Sequence, residues 1–447
     1  MQTEQHHPRH EWLGPWLKGY PAKQPPIRRS DIAQQGWTLQ GQDLPLPLAV
    51  IRQAALDHNL AWMQNFAQQQ GVALAPHGKT TMSPQLFERQ LQAGAWGLTF
   101  ATVYQLRQGL AAGARRVLLA NQVFSAHDLS TLLALRREHG GAQAIEMAFF
   151  VDSQAQLDLI ESHWALLGAT AAGEARLDVL IELGSSRCGV RHSADALALA
   201  QRLRKHPALR LRGVAFYEGL EASGDSGKDQ ALLKGWQERV EALLAQIEQA
   251  GLIETEALPL WVSGGGSAVF DLVAPVLRGD AQSPPRAWPR LGLLRPGCYV
   301  CHDHGLYERM RLPMDERLAA SALGRATLQA ALEVWTEVLS CPEPGLALLN
   351  AGRRDVSFDQ GWPLPVWHST RTNAPGQRTR PQGWLISGLN DQHAYLRWDP
   401  AQSSGPAVGD LVALGPSHPC STFDKWSWMP VVDQDDRVVD AITTQFG

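Results

Sequence analysis

The feature that most limits the fold is a rhythm beginning at Leu48, where short apolar runs alternate with helical segments of about 15 to 25 residues. That alternation specifies a parallel sheet with crossover helices. The predicted strands are Val72–Ala75, Gly97–Phe100, Arg116–Ala120, Ala148–Val151, Val179–Leu183, Gly213–Phe216, Leu260–Val262 and Gly292–Leu294. Helices are predicted at Ala54–Gln70, Ser83–Ala93, Val103–Ala112, Ala194–Lys205 and Lys234–Ala250. Eight such units fit an α/β chain folded as a (β/α)8 TIM-type barrel over residues 48–311, with an open doubly wound sheet as the alternative. Beyond residue 312 the rhythm fades into short runs such as Glu333–Leu339, Leu346–Asn350, Trp384–Ser387 and Leu411–Leu414, which predicts a mostly β domain over 312–447. Residues 1–47, rich in Pro, Gln and Trp without a period, read as an N-terminal arm packed on the rest. Arg278–Pro289 and Thr370–Gly383, rich in Pro and Gly, read as surface insertions.

Several function classes are excluded by the charge balance and the cysteines. With 40 basic and 44 acidic residues, no net field gathers nucleic acid or an anionic membrane. Five cysteines, at 188, 298, 301, 341 and 420, make no disulfide framework and suit a reducing compartment. No run of 18 apolar residues and no apolar signal-peptide core is present, so the expectation is a cytoplasmic protein without a membrane partner. His6, His7 and His10 lie in a polar terminus and read as solvated.

A barrel places its active site after the C-terminal ends of its strands. Polar sets follow strand after strand here: His77-Gly78-Lys79-Thr80, Thr99 and Thr102, Asn121-Gln122, Asp152-Ser153, Gly184 to Gly189, Tyr217-Glu218-Gly219, Ser263 to Ser267, and Arg295-Pro296-Gly297. Lys79 is the candidate carbonyl-capturing amine, because Pro76 and Gly78 fix the backbone where the first strand ends, and a partly desolvated lysine there can react with a carbonyl. Ser263, Gly264, Gly265 and Gly266 follow the seventh strand, where consecutive glycines let N–H groups approach a phosphate without Cβ obstruction. No Gly-Lys-Ser/Thr follows, so this is not a P-loop. Near the C-terminus, His418 and Cys420 stand two apart, and on an extended backbone both face one side. They form a zinc pair by ligand type, incomplete in the way that leaves positions for water or substrate. His302 and His304 read first as ordinary hydrogen-bonded histidines, with ligand or acid–base roles as the alternative.

Pro76-His77-Gly78-Lys79-Thr80, with Ser83-Pro84 and Gln92-Ala93-Gly94-Ala95 after it, resembles the D-threonine aldolase and D-serine dehydratase family, from about Leu48 onward. That resemblance implies a barrel of the alanine racemase kind, with pyridoxal phosphate on Lys79 and His77 among the cofactor-binding residues. It also implies that Tyr299 reaches the phosphate, that Arg187 and Tyr217 lie near the cofactor ring, and that the protein is a homodimer. The His-x-Cys pattern resembles the zinc ligands of the dehydratase, or amino acid deaminase, branch, whereas aldolases usually carry Asp in place of Cys. Asp355-Val356-Ser357-Phe358-Asp359 and Thr422-Phe423-Asp424-Lys425-Trp426 point to the same branch. The implied reaction is a β-elimination dependent on pyridoxal phosphate and Zn²⁺, acting on a small-molecule D-3-hydroxy amino acid such as D-serine, D-threonine or a D-3-hydroxyaspartate. Its products are a 2-oxo acid and ammonia. Retro-aldol cleavage is the nearest alternative, and racemisation leaves the zinc pair without a task. A non-catalytic pyridoxal-phosphate-binding protein is the remaining alternative, although the single-barrel proteins of that type lack a second domain.

Overall fold

A computed structural model describes residues 11–140, 144–167, 176–279, 286–319 and 327–446. Eight parallel strands, Ala73–Leu74, Leu98–Phe100, Arg116–Gln122, Glu146–Val151, Leu177–Leu183, Leu209–Phe216, Leu260–Gly264 and Arg290–Leu294, run side by side in chain order from the second to the eighth, and the eighth pairs with the first. Trp96 N donates to Leu74 O and Thr99 N to Pro76 O, each at 2.8 Å, and these bonds join the first strand to the second. The sequential order and this seam describe a barrel, not a doubly wound sheet.

The strands are buried on both faces, so they read as near-continuous apolar runs. Leu118, Phe150, Leu180, Ala215, Trp261 and Leu293 fill the barrel interior. Their neighbours Val117, Leu119, Phe149, Val151, Val179 and Ile181 belong to the outer core beneath the helices, as a two-residue period requires. Helices beyond those predicted span Ala126–Glu138, Gln154–Leu167 and Phe270–Arg278. The side chains of Thr102, Ser125 and Asp225 accept the amides of Gln105, Asp128 and Lys228, and so fix three helix starts.

The second unit is a mostly antiparallel sheet ordered Leu385–Leu389, Ala394–Arg397, Leu346–Leu349, Leu332–Glu343, Leu48–Arg52, Trp428–Val432 and Val438–Thr443. Leu411–Gly415 also pairs with Leu332–Glu343 and carries Leu364–Ser369 on its other edge. Leu48–Arg52, which opens the stretch read as barrel, thus lies in the middle of the second sheet. Arg52 is buried there between Glu333 and Asp436, with an Nη2 to Glu333 Oε2 distance of 2.6 Å. Burial alone raises the Glu333 pKa, but the Arg52 charge and hydrogen bonds outweigh it and hold the carboxyl below its usual range. Asp436 also takes Arg378 Nη1 at 2.6 Å and the amide of Gln40 at 2.6 Å.

The arm folds onto this sheet. Trp12–Leu13 pairs with Ile27–Arg28, Arg29–Gln35 forms a 3₁₀ turn, and Trp37 O accepts the amide of Val438. Histidines 6, 7 and 10 and residues 280–285 of the first insertion lie outside the described residues. Among the described residues no helix is long and apolar enough to cross a membrane.

Removing Glu333 leaves the buried guanidinium of Arg52 with Asp436 alone, a carboxylate that Arg378 shares. We expect Glu333→Ala to cost about 3 kcal/mol of stability in urea unfolding, the low end for a broken buried pair, because one carboxylate remains. Arg354→Ala, which removes an exposed pair with Asp391, is expected to change the unfolding midpoint little.

Candidate active site at the barrel mouth

The first barrel strand ends at Ala75-Pro76, and the turn that follows is clamped from both sides. Thr99 Oγ1 donates to Ala75 O at 2.7 Å, and His77 N donates to Pro296 O at 3.2 Å. Gly78–Thr80 then makes one 3₁₀ turn. A Cβ on Gly78 would fall 2.4 Å from the Phe100 ring and 2.9 Å from Phe87, so only glycine lets the turn lie against those aromatics. Lys79 projects outward from the turn. Partial burial was expected for it; instead it is exposed, with no hydrogen bond or ion pair to any described residue. His77 beside it is half-buried. Burial, reinforced by the charges of Lys79, Arg295 and Arg187, drives its pKa well below the ordinary histidine value, and its buried Nδ1 has no hydrogen-bond partner.

Across the mouth, the Ser263 to Ser267 loop behaves as an anion nest. The amides of Gly265 and Gly266 donate to the Glu218 carboxylate at 3.2 and 2.9 Å, so the loop's own anion is a side chain from the sixth strand's end. Burial raises the Glu218 pKa against those bonds. A phosphate therefore has to share the rim of this nest or displace Glu218. Ser263 is buried within the barrel, where its hydroxyl donates to Leu293 O and accepts from Arg295 Nη1 at 2.6 Å. Tyr217 lies over the loop: a Cβ on Gly266 would come 3.0 Å from its ring. Arg187 stacks on Tyr217 at 4.9 Å, and burial pushes the Tyr217 pKa up to about 12. Tyr299 follows Cys298, whose amide bonds Ser267 of the loop, and its buried hydroxyl accepts from Gln90 at 3.2 Å. The other side of the mouth is acidic, with Gln122 bridging Asp152 and Glu182, and burial raises the Glu182 pKa.

The second domain enters the site beside the lysine turn. Cys420 Sγ lies 3.5 Å from Thr80 Oγ1 and 3.6 Å from Cys298 Sγ, and Cys298 Sγ lies 3.8 Å from the same hydroxyl. One ligand atom from each of Cys298, His418 and Cys420 lies within 4.8 Å of the others. The expected extended backbone is replaced by a turn of helix, Cys420–Phe423, because Pro419 takes a helical conformation and its carbonyl accepts Thr422 N and Phe423 N. His418 Nδ1 bonds Asp359 Oδ2 at 2.7 Å, which turns the other ring nitrogen toward Cys420. Burial works to lower the His418 pKa, but its bonds to Cys420 and Asp359 hold it at about 9. The hydrogen bond from Cys298 and the contact with His418 overcome burial and lower the Cys420 pKa, while Cys298 goes the other way. Tyr307 packs edge-on against His418 at 6.2 Å, and the neighbouring Cys298 thiol together with burial raises its pKa. His302 bonds Glu308, and the half-buried His304 packs against Gly415 with its pKa lowered to about 4 by desolvation; neither joins the thiol group.

Residues 51–275 match the family model "Alanine racemase, N-terminal domain", half of the chain. The chain belongs to the alanine racemase barrel family. A second model, "Putative serine dehydratase domain", matches residues 331–432. Among curated relatives, the D-threonine aldolase of Arthrobacter sp is 27% identical over 402 residues, covering 90% of this chain and 92% of its own length. The D-threo-3-hydroxyaspartate dehydratase of Delftia sp. (strain HT23) is 28% identical over 395 residues, covering 85% and 92%. The D-threonine aldolase structure from Filomicrobium marinum superposes with a TM-score of 0.71 at 24% identity, covering 92% of this chain and 96% of its own, and supports the fold.

For this family member, the geometry adds Thr80, Glu218, Cys298, Tyr307 and Asp359 to the residues singled out by sequence. Cys298 and Cys420 are 122 positions apart, so no spacing rule could have joined them. The residues fit a carbonyl-bearing phosphate cofactor at three places: the unpartnered amine of Lys79, the orphaned Nδ1 of His77, and the bare face of Gly266 under Tyr217. Because Glu218 sits in the anion nest, we expect Glu218→Gln to tighten binding of pyridoxal phosphate to the apo-protein by about tenfold, the worth of one pKa unit. Absorbance titration measures this, and weaker binding by the variant would mean that the carboxylate organises the nest for the cofactor.

Proposed function

We propose that this chain is a lyase dependent on pyridoxal phosphate and zinc that removes the β-hydroxyl of a D-3-hydroxy amino acid, giving a 2-oxo acid and ammonia. The observation that carries the reading is the contact of Thr80, next to Lys79, with both thiols of the Cys298–His418–Cys420 group. That contact supports reading the amine of Lys79 and a soft metal-binding set as parts of one site. Lys79 would hold the cofactor, with the Gly264 to Gly266 loop, Tyr217, Arg187 and His77 around it and Tyr299 and Ser263 supporting from the core. Bound there, the cofactor supplies a sink for charge at Cα, and zinc supplies a Lewis acid for the departing oxygen.

The chain's own groups divide the remaining work. The amine of Lys79 takes the Cα proton as general base. Asp359 fixes the His418 tautomer through Nδ1, so that the other nitrogen faces the thiols. Thr80, whose hydroxyl lies 3.5 Å from Cys420 Sγ and 3.8 Å from Cys298 Sγ, is the hydroxyl placed to pass a proton to the leaving oxygen. Lys79 and Arg187 are open to solvent in one chain, and Phe358 and Trp362 expose apolar surface beside Asp359, which supports a homodimer that covers this mouth.

The Arthrobacter relative favours a second reading, retro-aldol cleavage. The two separate by product. D-threonine is expected to give 2-oxobutanoate and ammonia, and glycine with acetaldehyde as main products would establish the aldolase reading instead. His418→Ala is expected to lower kcat on the order of 10²–10³-fold while the protein still takes up pyridoxal phosphate. Unchanged turnover after exhaustive chelation would remove the metal from the reaction.

A further inference from the structure

Zinc prefers four ligands at tetrahedral corners, and with Zn–S bonds of about 2.3 Å two thiolates on one ion stand roughly 3.8 Å apart. Cys298 and Cys420 stand 3.6 Å apart, with a His418 ring nitrogen within 4.8 Å of both. We propose that Cys298 is a third protein ligand of the metal, so that the ion is held by two thiolates and one imidazole with its fourth position open to substrate. This rests on the metal reading above and deepens it.

The position of Cys298 is built, not incidental. Its amide donates to Ser267 Oγ at 3.0 Å, which fastens it to the glycine loop. Gly297 before it packs against the lysine turn so closely that a Cβ would fall 2.4 Å from Thr80 Oγ1. The Thr80 hydroxyl lies against its sulfur at 3.8 Å. A single residue thus links the cofactor loop, the lysine turn and the metal, and the barrel holds the ion together with the second domain. Loading the ion displaces two protons to solvent, one from the Cys298 thiol and one from the His418 ring nitrogen that faces the thiols. Two thiolates also make the site softer than a His-x-Cys pair, selecting Zn²⁺ over Mn²⁺ or Mg²⁺.

X-ray absorption on the zinc-loaded full-length protein counts the sulfurs directly. Two sulfur scatterers at about 2.3 Å are expected. A single sulfur overturns the proposal. In Cys298→Ser one sulfur is expected, the thiolate-to-Co²⁺ charge-transfer band of the cobalt form should fall to about half, and zinc affinity in chelator competition should drop by more than the ~10–100-fold that loss of an outer-shell partner costs. Cys301→Ser, whose sulfur faces the Cys298 carbonyl at 3.7 Å, is expected to leave all three readings unchanged. If Cys420→Ser loses a sulfur and Cys298→Ser does not, the metal site stands and Cys298 is not its ligand. Wild-type protein that takes up neither zinc nor cobalt overturns both readings.

Discussion

The lysine turn depends on the seam where the barrel closes. The first strand has only two residues in regular pairing, Ala73–Leu74, so it cannot fix the chain beyond it by ladder bonds alone. Thr99 supplies the missing constraint by bonding both Ala75 O and Pro76 O, while Pro296 O holds His77 from the opposite neighbour. Buried backbone groups must be satisfied somewhere, and satisfying these with adjacent strands sets the direction in which Lys79 leaves the barrel. The seam that makes the sheet continuous also aims the amine.

A second constraint joins the two domains. Leu48–Arg52 runs from the arm into the middle of the second sheet, and the chain passes directly from Arg52 into the first barrel helix, Gln53–Gln69. The last strand bonds back to the barrel, with Thr443 N on Gln85 Oε1 and Gln445 N on Met82 O. His304 N and Leu306 N bond the carbonyls of Pro416 and Ser417 just before His418. The loop that carries His418 and Cys420 is therefore pinned on both flanks, and its approach to Thr80 does not rely on a flexible hinge. Across the same mouth, the cations Arg187 and Arg295 face the carboxyls of Glu182 and Glu218, whose pKa values burial raises. A site of this kind can take up an anionic cofactor with limited desolvation cost because both signs are already present.

All eight barrel strands could be read from the sequence because double-sided burial gives each an apolar run, with charges such as Arg116, Glu146 and Arg290 confined to strand starts or to a few inner positions. The amphipathic helices were less visible: Ala126–Glu138 carries Ser, Thr and His among its leucines, and its period is weak. The place of Leu48–Arg52 was illegible for a different reason, since a buried run of five residues does not say which sheet it joins. At the site, Lys79, His418 and Cys420 were marked by local turn and ligand chemistry. Local pattern did not show the neighbours these groups meet: Glu218 accepts from the glycine amides, and the Tyr299 hydroxyl accepts from Gln90. Both outcomes are set by neighbours distant in sequence, as is the approach of Cys298 to Cys420.

The central claim is that one mouth, built from both domains, carries the amine of Lys79 and a metal on Cys298, His418 and Cys420. Crystals of the protein loaded with pyridoxal phosphate and zinc test it most directly, by an anomalous difference map at the zinc edge. The account requires cofactor density continuous with Lys79 and a single strong peak between the two sulfurs and the His418 ring. A peak elsewhere, or cofactor density continuous with any other lysine, would contradict it.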